Sequence, residues 1–182
     1  MRLSSSVAID SRHLKGEEVI ARLMETETET REFIDEQLRD TGWICDTDKF
    51  NLKLNNTQPM QGRNMAIAEW KCGDRWADYA LFIGTQLVGI IEAEKYANQV
   101  DINVEKPIEF ARKTLNENNA VLIGDWDGVK VPFVFVSNSR EDSEGNHGIW
   151  YKDTRAMGLS KKLDEWLTPE EILGMLKDVV SE

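Results

Sequence analysis

The chain has 182 residues, of which 41% are hydrophobic and 30% are charged. This length supports one domain with a real core and is too short for two comfortable ones, so we expect one domain with an appendage. The 33 acidic and 22 basic side chains give a net charge of −11. That balance argues against holding nucleic acid by bulk electrostatics alone, and a polyanionic partner would need a local basic patch or metal ions.

Targeting and membrane signals are missing from the sequence. There is no run of about 18 apolar residues that could span a bilayer, and residues 1–18 have no apolar segment long enough for a signal-peptide core. Cys45 and Cys72 form no metal-binding or redox motif. We therefore expect a cytoplasmic protein.

The N-terminal part of the chain indicates helix. Residues 17–41 place apolar side chains at helical spacings, which predicts two helices or one long interrupted helix. Gly42 should end this helical region, and Trp43 should begin an extended stretch. Residues 44–65 are rich in Asn, Asp, Thr and Pro, and they predict a connection with a short strand at 50–54.

The middle of the chain predicts a β-meander. Three apolar runs at 65–70, 76–83 and 87–95 are joined by short turns at Gly73 and Gly84, as in consecutive antiparallel strands.

Residues 104–119 then predict a helix that begins near Lys106, because Pro107 is tolerated only in a first turn. Residues 120–128 and 131–139 predict a strand pair across the Asp127-Gly128 turn, and 148–153 predict one more strand. The six tryptophans are spread one per element, so we expect core residues and not base-stacking platforms.

The tail after residue 155 has a helical pattern. Thr168 should be the N-cap of a helix, with Pro169 as its first residue and Glu171 as the capping-box partner. The sequence therefore predicts a mixed α/β domain over 1–155 and a helical connector over 156–182, leading toward something longer.

Acidic residues lie near both outer ends of the second predicted hairpin. If that hairpin turns about Thr85, Asp78 faces Glu92, with Cβ atoms about 4.5–5.5 Å apart. Like charges at that spacing are destabilising unless a cation lies between them. Carboxylate oxygens suit Mg²⁺, which pairs readily with phosphate and can support phosphodiester hydrolysis. The alternative is a pair of solvated acids at an exposed hairpin end.

Strand alternation assigns these acids to a face. It places Val88, Ile90, Glu92 and Glu94 on one face of the strand, and Leu87, Gly89, Ile91 and Ala93 on the other. The acids should therefore lie where the strand leaves the core.

Several segments together resemble a known family. They are "ETETR" (27–31), "FIDEQLRDTGW" (33–43), "ADYALF" (77–82) and "IIEAEK" (90–95), followed by "IWYKDTR" and "LDEWLTPEEILGML" in the tail. In order and spacing they resemble the N-terminal nuclease domain of type I restriction enzyme R subunits. The resemblance implies the restriction-endonuclease-like PD-(D/E)XK fold, a central mixed β-sheet flanked by helices with the acids at one sheet edge.

The resemblance also implies roles for individual residues. Asp78 and Glu92 would bind Mg²⁺, the Ala93 carbonyl would be a further ligand, and Glu27 on the first helix would be an acid behind these ligands. For Glu27 the alternative is a solvated acidic face, since it lies in the run "ETETET".

One departure from the family pattern affects catalysis. The family has Lys two residues after the catalytic Glu, where this chain has Glu94. A carboxylate cannot stabilise negative charge on a phosphate, but Glu94 could bind metal or act as a base toward water. The missing cation could come from Lys95, if a bulge re-aims it, or from Lys106 at the start of the next helix. For both lysines the alternative is an ordinary solvated side chain.

The implied function is that of a type I site-specific deoxyribonuclease domain that cuts double-stranded DNA. It would work with an ATP-driven motor that lies outside this chain, and with methyltransferase and specificity subunits. One alternative is a catalytically weakened module of the same complex that binds DNA or seats the motor. Another is a stand-alone nuclease-like protein of a phage or mobile element.

Overall fold

The computed structural model describes residues 28–94, 104–141 and 147–178. A first helix, α1, is described over 28–40. The remaining elements follow in the order β1 Ile44–Cys45, α2 Leu52–Asn55, β2 Asn64–Cys72, β3 Arg75–Ile83, β4 Gln86–Ala93, α3 Glu105–Lys113, β5 Phe133–Glu141, β6 His147–Asp153, β7 Lys161–Leu163 and α4 Pro169–Lys177.

The strands form a seven-stranded mixed sheet whose spatial order follows the chain order. The β1–β2 and β4–β5 pairs are parallel, and the other neighbours are antiparallel. This confirms the mixed α/β class and the β2–β3–β4 meander. Gly73 and Gly84 adopt φ values of +65° and +60° at the predicted turns, and Gly42 has φ of +99° where the first helix was predicted to end. Glycine reaches this conformation without steric cost.

Both faces of the sheet are covered, so its central strands are apolar on both sides. On one face, α3 packs Ile108 and Phe110 against a cluster that includes Ile90. On the other, α1 and α4 pack Ile34 and Ile172 against a second cluster. The sheet is the centre of a three-layer arrangement, and its edges and ends remain available for a site.

The β3–β4 hairpin contains a bulge that corrects the predicted alternation. The turn is Gly84-Thr85, and the register shifts by one residue between Leu81 and Phe82. Leu87 therefore packs in the same cluster as Ile90, whereas Val88 lies in the opposite one. The predicted placement of Val88 beside Ile90 was wrong, because the extra residue reverses alternation at that point.

Residues 52–55 form a short helix where a strand over 50–54 was predicted, and Asn51 makes only an isolated bridge to Ala68. Asn51 caps α2 by accepting a hydrogen bond from the Leu54 N–H at 2.9 Å. Asn56 ends α2 in the left-handed region, with φ of +54°. Asparagine at both ends is typical of helix capping, and here it outweighs the β-pattern of the apolar residues.

Residues 120–128 also differ from prediction. The turn at Asp127-Gly128 exists, but it joins only an isolated bridge between Trp126 and Val129. Val121 is exposed and makes one bridge to Gln86. β5 pairs instead with β4 and β6, and α3 ends at Lys113, earlier than expected. The sequence pattern of 120–139 could not show that β4 and β6 would occupy both edges of β5.

The tail is more than a helix. Its first part forms β7, which pairs with β6, so the predicted helical pattern there was wrong. The capping box on α4 is confirmed, with reciprocal hydrogen bonds between Thr168 and Glu171. Trp166 Nε1 donates to Gln37 Oε1 at 3.0 Å, and Trp43 Nε1 donates to the Leu167 carbonyl at 2.9 Å. These bonds dock the tail on α1 and on the segment that follows it, and the division at residue 155 stays a prediction.

Other expectations concern the membrane, the cysteines and the tryptophans. Across the described ranges, no helix is long and apolar enough to cross a membrane. Cys45 and Cys72 are buried free thiols. Three tryptophans are buried as expected, but Trp76 is 38% exposed, so it is not a core residue.

Candidate active site

The site lies where β3 and β4 leave the buried part of the sheet. Tyr79 pairs with Ile91, and the same register places Asp78 opposite Glu92 at the next position. The bulge produces this alignment, since the turn end of the hairpin is offset by one residue. Asp78 and Glu92 are therefore cross-strand neighbours, as the hairpin argument predicted, although for a different turn.

A third acid extends the Asp78–Glu92 pair across the sheet into a row of three, which we call the acid row. Glu69 on β2 falls opposite Asp78 in the β2–β3 register, between two regular pairs. Its φ of +50° is in the left-handed region, so β2 is locally distorted there. Sequence analysis missed Glu69, although a two-residue turn at Gly73-Asp74 would have placed it across from Asp78.

Asp78 has both oxygens engaged. Oδ1 forms an ion pair with Arg31 Nη2 at 2.7 Å, and Oδ2 accepts a hydrogen bond from the Ala93 N–H at 2.8 Å. The second bond fastens the Asp78 side chain to the end of β4. Arg31 comes from α1, which approaches from the opposite layer to α3. Asp78 is thus held at the sheet end by groups from two elements.

Glu92 is more deeply placed, at 5% exposure. Its Oε1 contacts Lys106 Nζ at 2.6 Å, and its Oε2 is buried without a hydrogen-bond partner. Lys106 lies in the first turn of α3, and about half of its side chain is exposed. A buried carboxylate oxygen without a partner is costly, so this atom marks a place where another group can bind.

Burial, and after it the nearby Asp78 carboxylate, raises the pKa of Glu92 to about 8. Lys106 opposes these effects without overcoming them. The pKa of Lys106 is itself raised, chiefly by its hydrogen bond to Glu92. The two shifts imply different charges on Glu92 near neutral pH. Burial of the Glu92 carboxyl dominates, because the half-exposed Lys106 ammonium is partly screened by water.

A cleft of about 440 Å³ opens beside Asp78 on the α1 side. Most of its lining residues are polar, and they include Arg31, Asp35, Glu69, Asp78 and Glu94. Glu94 therefore reaches the site, and its charge contributes to the raised pKa of Lys106. The cleft gives solvent and ligands access to the Asp78 end of the acid row.

α1 is fixed beside the cleft by a buried hydrogen-bond network. Asp35 Oδ1 accepts from Tyr79 Oη at 2.8 Å and from Thr47 Oγ1 at 2.8 Å, and Oδ2 accepts from the Thr47 N–H at 2.8 Å. Burial and the Asp35 charge raise the pKa of Tyr79, so the phenol remains a donor. Cys45 Sγ also donates to Asp35 at 3.3 Å. Since Arg31 lies one helical turn before Asp35, this network sets its position.

Most of the candidate residues from the sequence come together here: Asp78, Glu92, Ala93, Glu94 and Lys106. Glu27 and Lys95 lie outside the described residues. Sequence analysis missed Arg31, although it is part of the "ETETR" segment that carried the family resemblance. Its contact with Asp78 spans 47 positions and could not be deduced from local pattern.

The donor set fits a hard divalent cation. In the described part of the chain, no three His, Cys, Asp or Glu side chains converge as ligands. Mg²⁺ needs only one or two carboxylates, because it retains several waters. The carboxylates of Asp78 and Glu92 meet that requirement, and Glu92 Oε2 has no other hydrogen-bond partner.

Two acids lie at the ends of adjacent strands of a mixed sheet, and cations reach them from the flanking helices. A family model described as the second domain of the type I restriction enzyme EcoKI endonuclease subunit matches residues 45–176. The chain belongs to this family of type I restriction enzyme endonuclease subunits.

The chain is 33% identical over 186 aligned positions to the type I restriction enzyme EcoKI endonuclease subunit of Escherichia coli (strain K12). That alignment covers 83% of this chain and 16% of the relative, so the chain spans a small part of the relative's length. No solved structure matches the chain.

Proposed function

We propose that this chain is the Mg²⁺-dependent endonuclease domain of a type I restriction enzyme, with a PD-(D/E)XK fold. The observation that carries the proposal is the pairing of Asp78 with the buried Glu92, whose Oε2 is unpartnered. Asp78 and Glu92 would hold the ion, and the bound ion would lower the pKa of water and stabilise negative charge on the departing oxygen. Family membership and the mixed sheet support the same conclusion.

The Ala93 carbonyl is proposed as a further ligand. Its N–H is directed toward β3, where it meets Asp78. The N–H and C=O of one strand residue point to the same neighbouring strand, so the carbonyl is expected to face β3 as well.

Glu94 occupies the position at which the family pattern has a lysine, so the site lacks that lysine. We propose that Lys106 supplies a positive charge there from α3, since its Nζ lies 2.6 Å from Glu92 Oε1. Glu94 would bind the metal or accept a proton from water. In this arrangement Lys106 on α3 would provide the positive charge for hydrolysis, and Glu94 would provide the additional carboxylate.

Lys106→Met should lower the cleavage rate by about 10²-fold, the loss typical of removing one charge-stabilising group. Lys113→Met is a matched control, because Lys113 is an exposed lysine on the last turn of the same helix. Full cleavage by the Lys106 variant would exclude it as the compensating cation.

The whole enzyme's partners extend the proposal. Double-stranded DNA is the proposed substrate, delivered by an ATP-driven motor, with methyltransferase and specificity subunits choosing the sequence. The complex would act in the cytoplasm. The identity of the relative as a type I restriction enzyme endonuclease subunit supports a restriction role.

The test is Asp78→Ala in the complete restriction complex, with cleavage and translocation measured on the same DNA. We expect cleavage to be lost and ATP-driven translocation to be unchanged. Asp74→Ala is the matched control, because Asp74 is an exposed acid in the adjoining β2–β3 turn. Cleavage at the normal rate in the Asp78 variant would favour the second candidate, a DNA-binding or motor-docking module. The observation that favours this second candidate is the presence of Glu94 where the family pattern has a catalytic lysine.

A further inference from the structure

We propose that Arg31 is a displaceable cation of this site: it neutralises Asp78 while no metal ion is bound, and turns to the DNA phosphate when the ion arrives. This inference rests on the proposed metal-binding role of Asp78. It assigns a function to a residue on α1 that sequence analysis left without one.

The contact of Arg31 with Asp78 carries the first step. Nη2 lies 2.7 Å from Oδ1, while Oδ2 is engaged by the Ala93 N–H. A divalent ion bound to Asp78 would place two positive groups on one carboxylate. Since like charges at that distance repel, the ion and the guanidinium compete for Asp78.

The surroundings of Arg31 carry the second step. The side chain is 28% exposed and lines the cleft, so it can rotate without leaving a cavity in the core. The helix itself is held by the Asp35 hydrogen bonds to Tyr79 and Thr47. Displacement therefore moves the side chain and not α1, and the guanidinium remains in the cleft.

The chemistry of arginine carries the third step. Its guanidinium stays protonated and offers a planar fork of N–H donors that matches phosphate oxygens. The site lacks the lysine that the family pattern has two residues after Glu92. A cation released beside the metal ion would stabilise negative charge on the phosphate, a task that Glu94 cannot perform.

The experiment measures Mn²⁺ binding to the metal-free chain by electron paramagnetic resonance, without DNA. Arg31→Ala should lower the Mn²⁺ dissociation constant by at least about threefold, because one competing ion pair is removed. In the complete complex at saturating Mg²⁺, the same variant should cleave DNA about 10²-fold more slowly. Arg31→Lys keeps a positive charge, so its Mn²⁺ dissociation constant and its cleavage rate should both lie between those of Arg31→Ala and those of the unaltered protein.

Arg39→Ala is the matched control. Arg39 is a cation on the same helix, and it donates to the Cys45 carbonyl instead of to a carboxylate. Its removal should leave Mn²⁺ affinity and cleavage unchanged, and circular dichroism melting curves of all variants would verify folding.

Two results would overturn the inference. One is unchanged or weaker Mn²⁺ binding by Arg31→Ala, and the other is normal cleavage by that variant. If Asp78→Ala still abolishes Mn²⁺ binding in either case, the proposed function survives and only the role of Arg31 falls. If neither the unaltered chain nor Arg31→Ala binds Mn²⁺, the metal site itself is wrong, and the inference fails with it.

Discussion

Glu92 has an environment that opposes its charge, because it is 5% exposed and faces another carboxylate. Its folded-state pKa of about 8 is above the ordinary value of 4.5. The resulting contribution to stability is fully present below pH 4.5 and is lost as the pH rises through 8. The metal-free protein should therefore be less stable at alkaline pH, and a bound cation should offset this.

Glu92→Gln removes the titration while keeping the shape of the side chain. In the presence of a chelator, the variant should match the unaltered protein near pH 4.5, where Glu92 is neutral, and exceed its stability at pH 9. The difference should reach a few kcal/mol, at about 1.4 kcal/mol per pKa unit. Urea denaturation at the two pH values measures it.

Glu109→Gln is the control for this comparison, because Glu109 is a half-exposed acid on α3 that pairs with Arg112. Its stability should follow that of the unaltered protein at both pH values. Parallel pH profiles for the Glu92 variant and the unaltered protein would show that the carboxyl is ionised without cost in the folded state.

Among single residues, sequence analysis identified those whose chemistry follows from a motif or a strand register. Asp78, Glu92 and Lys106 were found this way, and the structure brings them together. Arg31 and Glu69 were missed. To identify Arg31, one must know how α1 packs on the sheet. To identify Glu69, one must work out the β2–β3 register in the way that was done for β3–β4.

At the scale of elements, α1 matters because it carries Arg31 to the end of the sheet. The helix is joined to β3 by the hydrogen bond from Tyr79 Oη to Asp35 Oδ1. Both residues are buried, so the bond is shielded from water. The position of α1 is therefore coupled directly to the strand that holds Asp78.

Tyr79→Phe deletes this bond without changing the aromatic packing. Asp35 would lose one donor in a buried setting, which should destabilise the protein by about 1–3 kcal/mol. We also expect slower cleavage, since Arg31 and Asp78 would be less firmly aligned. Thermal unfolding and DNA cleavage measure the two effects.

Tyr151→Phe provides the comparison, because Tyr151 is a half-buried tyrosine on β6 that stacks on Phe135. We expect that variant to change stability and cleavage little. Equal effects from the two variants would mean that the Asp35 bond has no particular role in aligning α1.

At the scale of the whole molecule, the net charge of −11 opposes DNA binding. A local exception lies near the site, where Lys53 Nζ is 5.4 Å from the ring of the exposed Trp76, and Lys71 is the cross-strand partner of Trp76. This small basic and aromatic surface is set in a largely acidic molecule. The rest of the complex would have to deliver the DNA.

The isolated chain should therefore bind duplex DNA weakly, with a dissociation constant no tighter than about 10⁻⁵ M at physiological salt. Fluorescence anisotropy with a labelled duplex, without divalent ions, measures this. Tight binding under those conditions would contradict the dependence on the rest of the complex. Lys53→Ala should reduce whatever binding is present, and its effect should shrink as salt rises.

The sequence by itself determined the mixed α/β class, the meander, the capped last helix and the two central acids. Each of these depends on local signals: apolar periodicity, turn glycines, capping residues and short motifs. Only the tertiary structure decided the β3–β4 bulge, the partners of β5, the docking of the tail on α1 and the contact of Arg31 with Asp78. These depend on side chains far apart in the chain, whose proximity follows from packing around a shared core and not from local spacing.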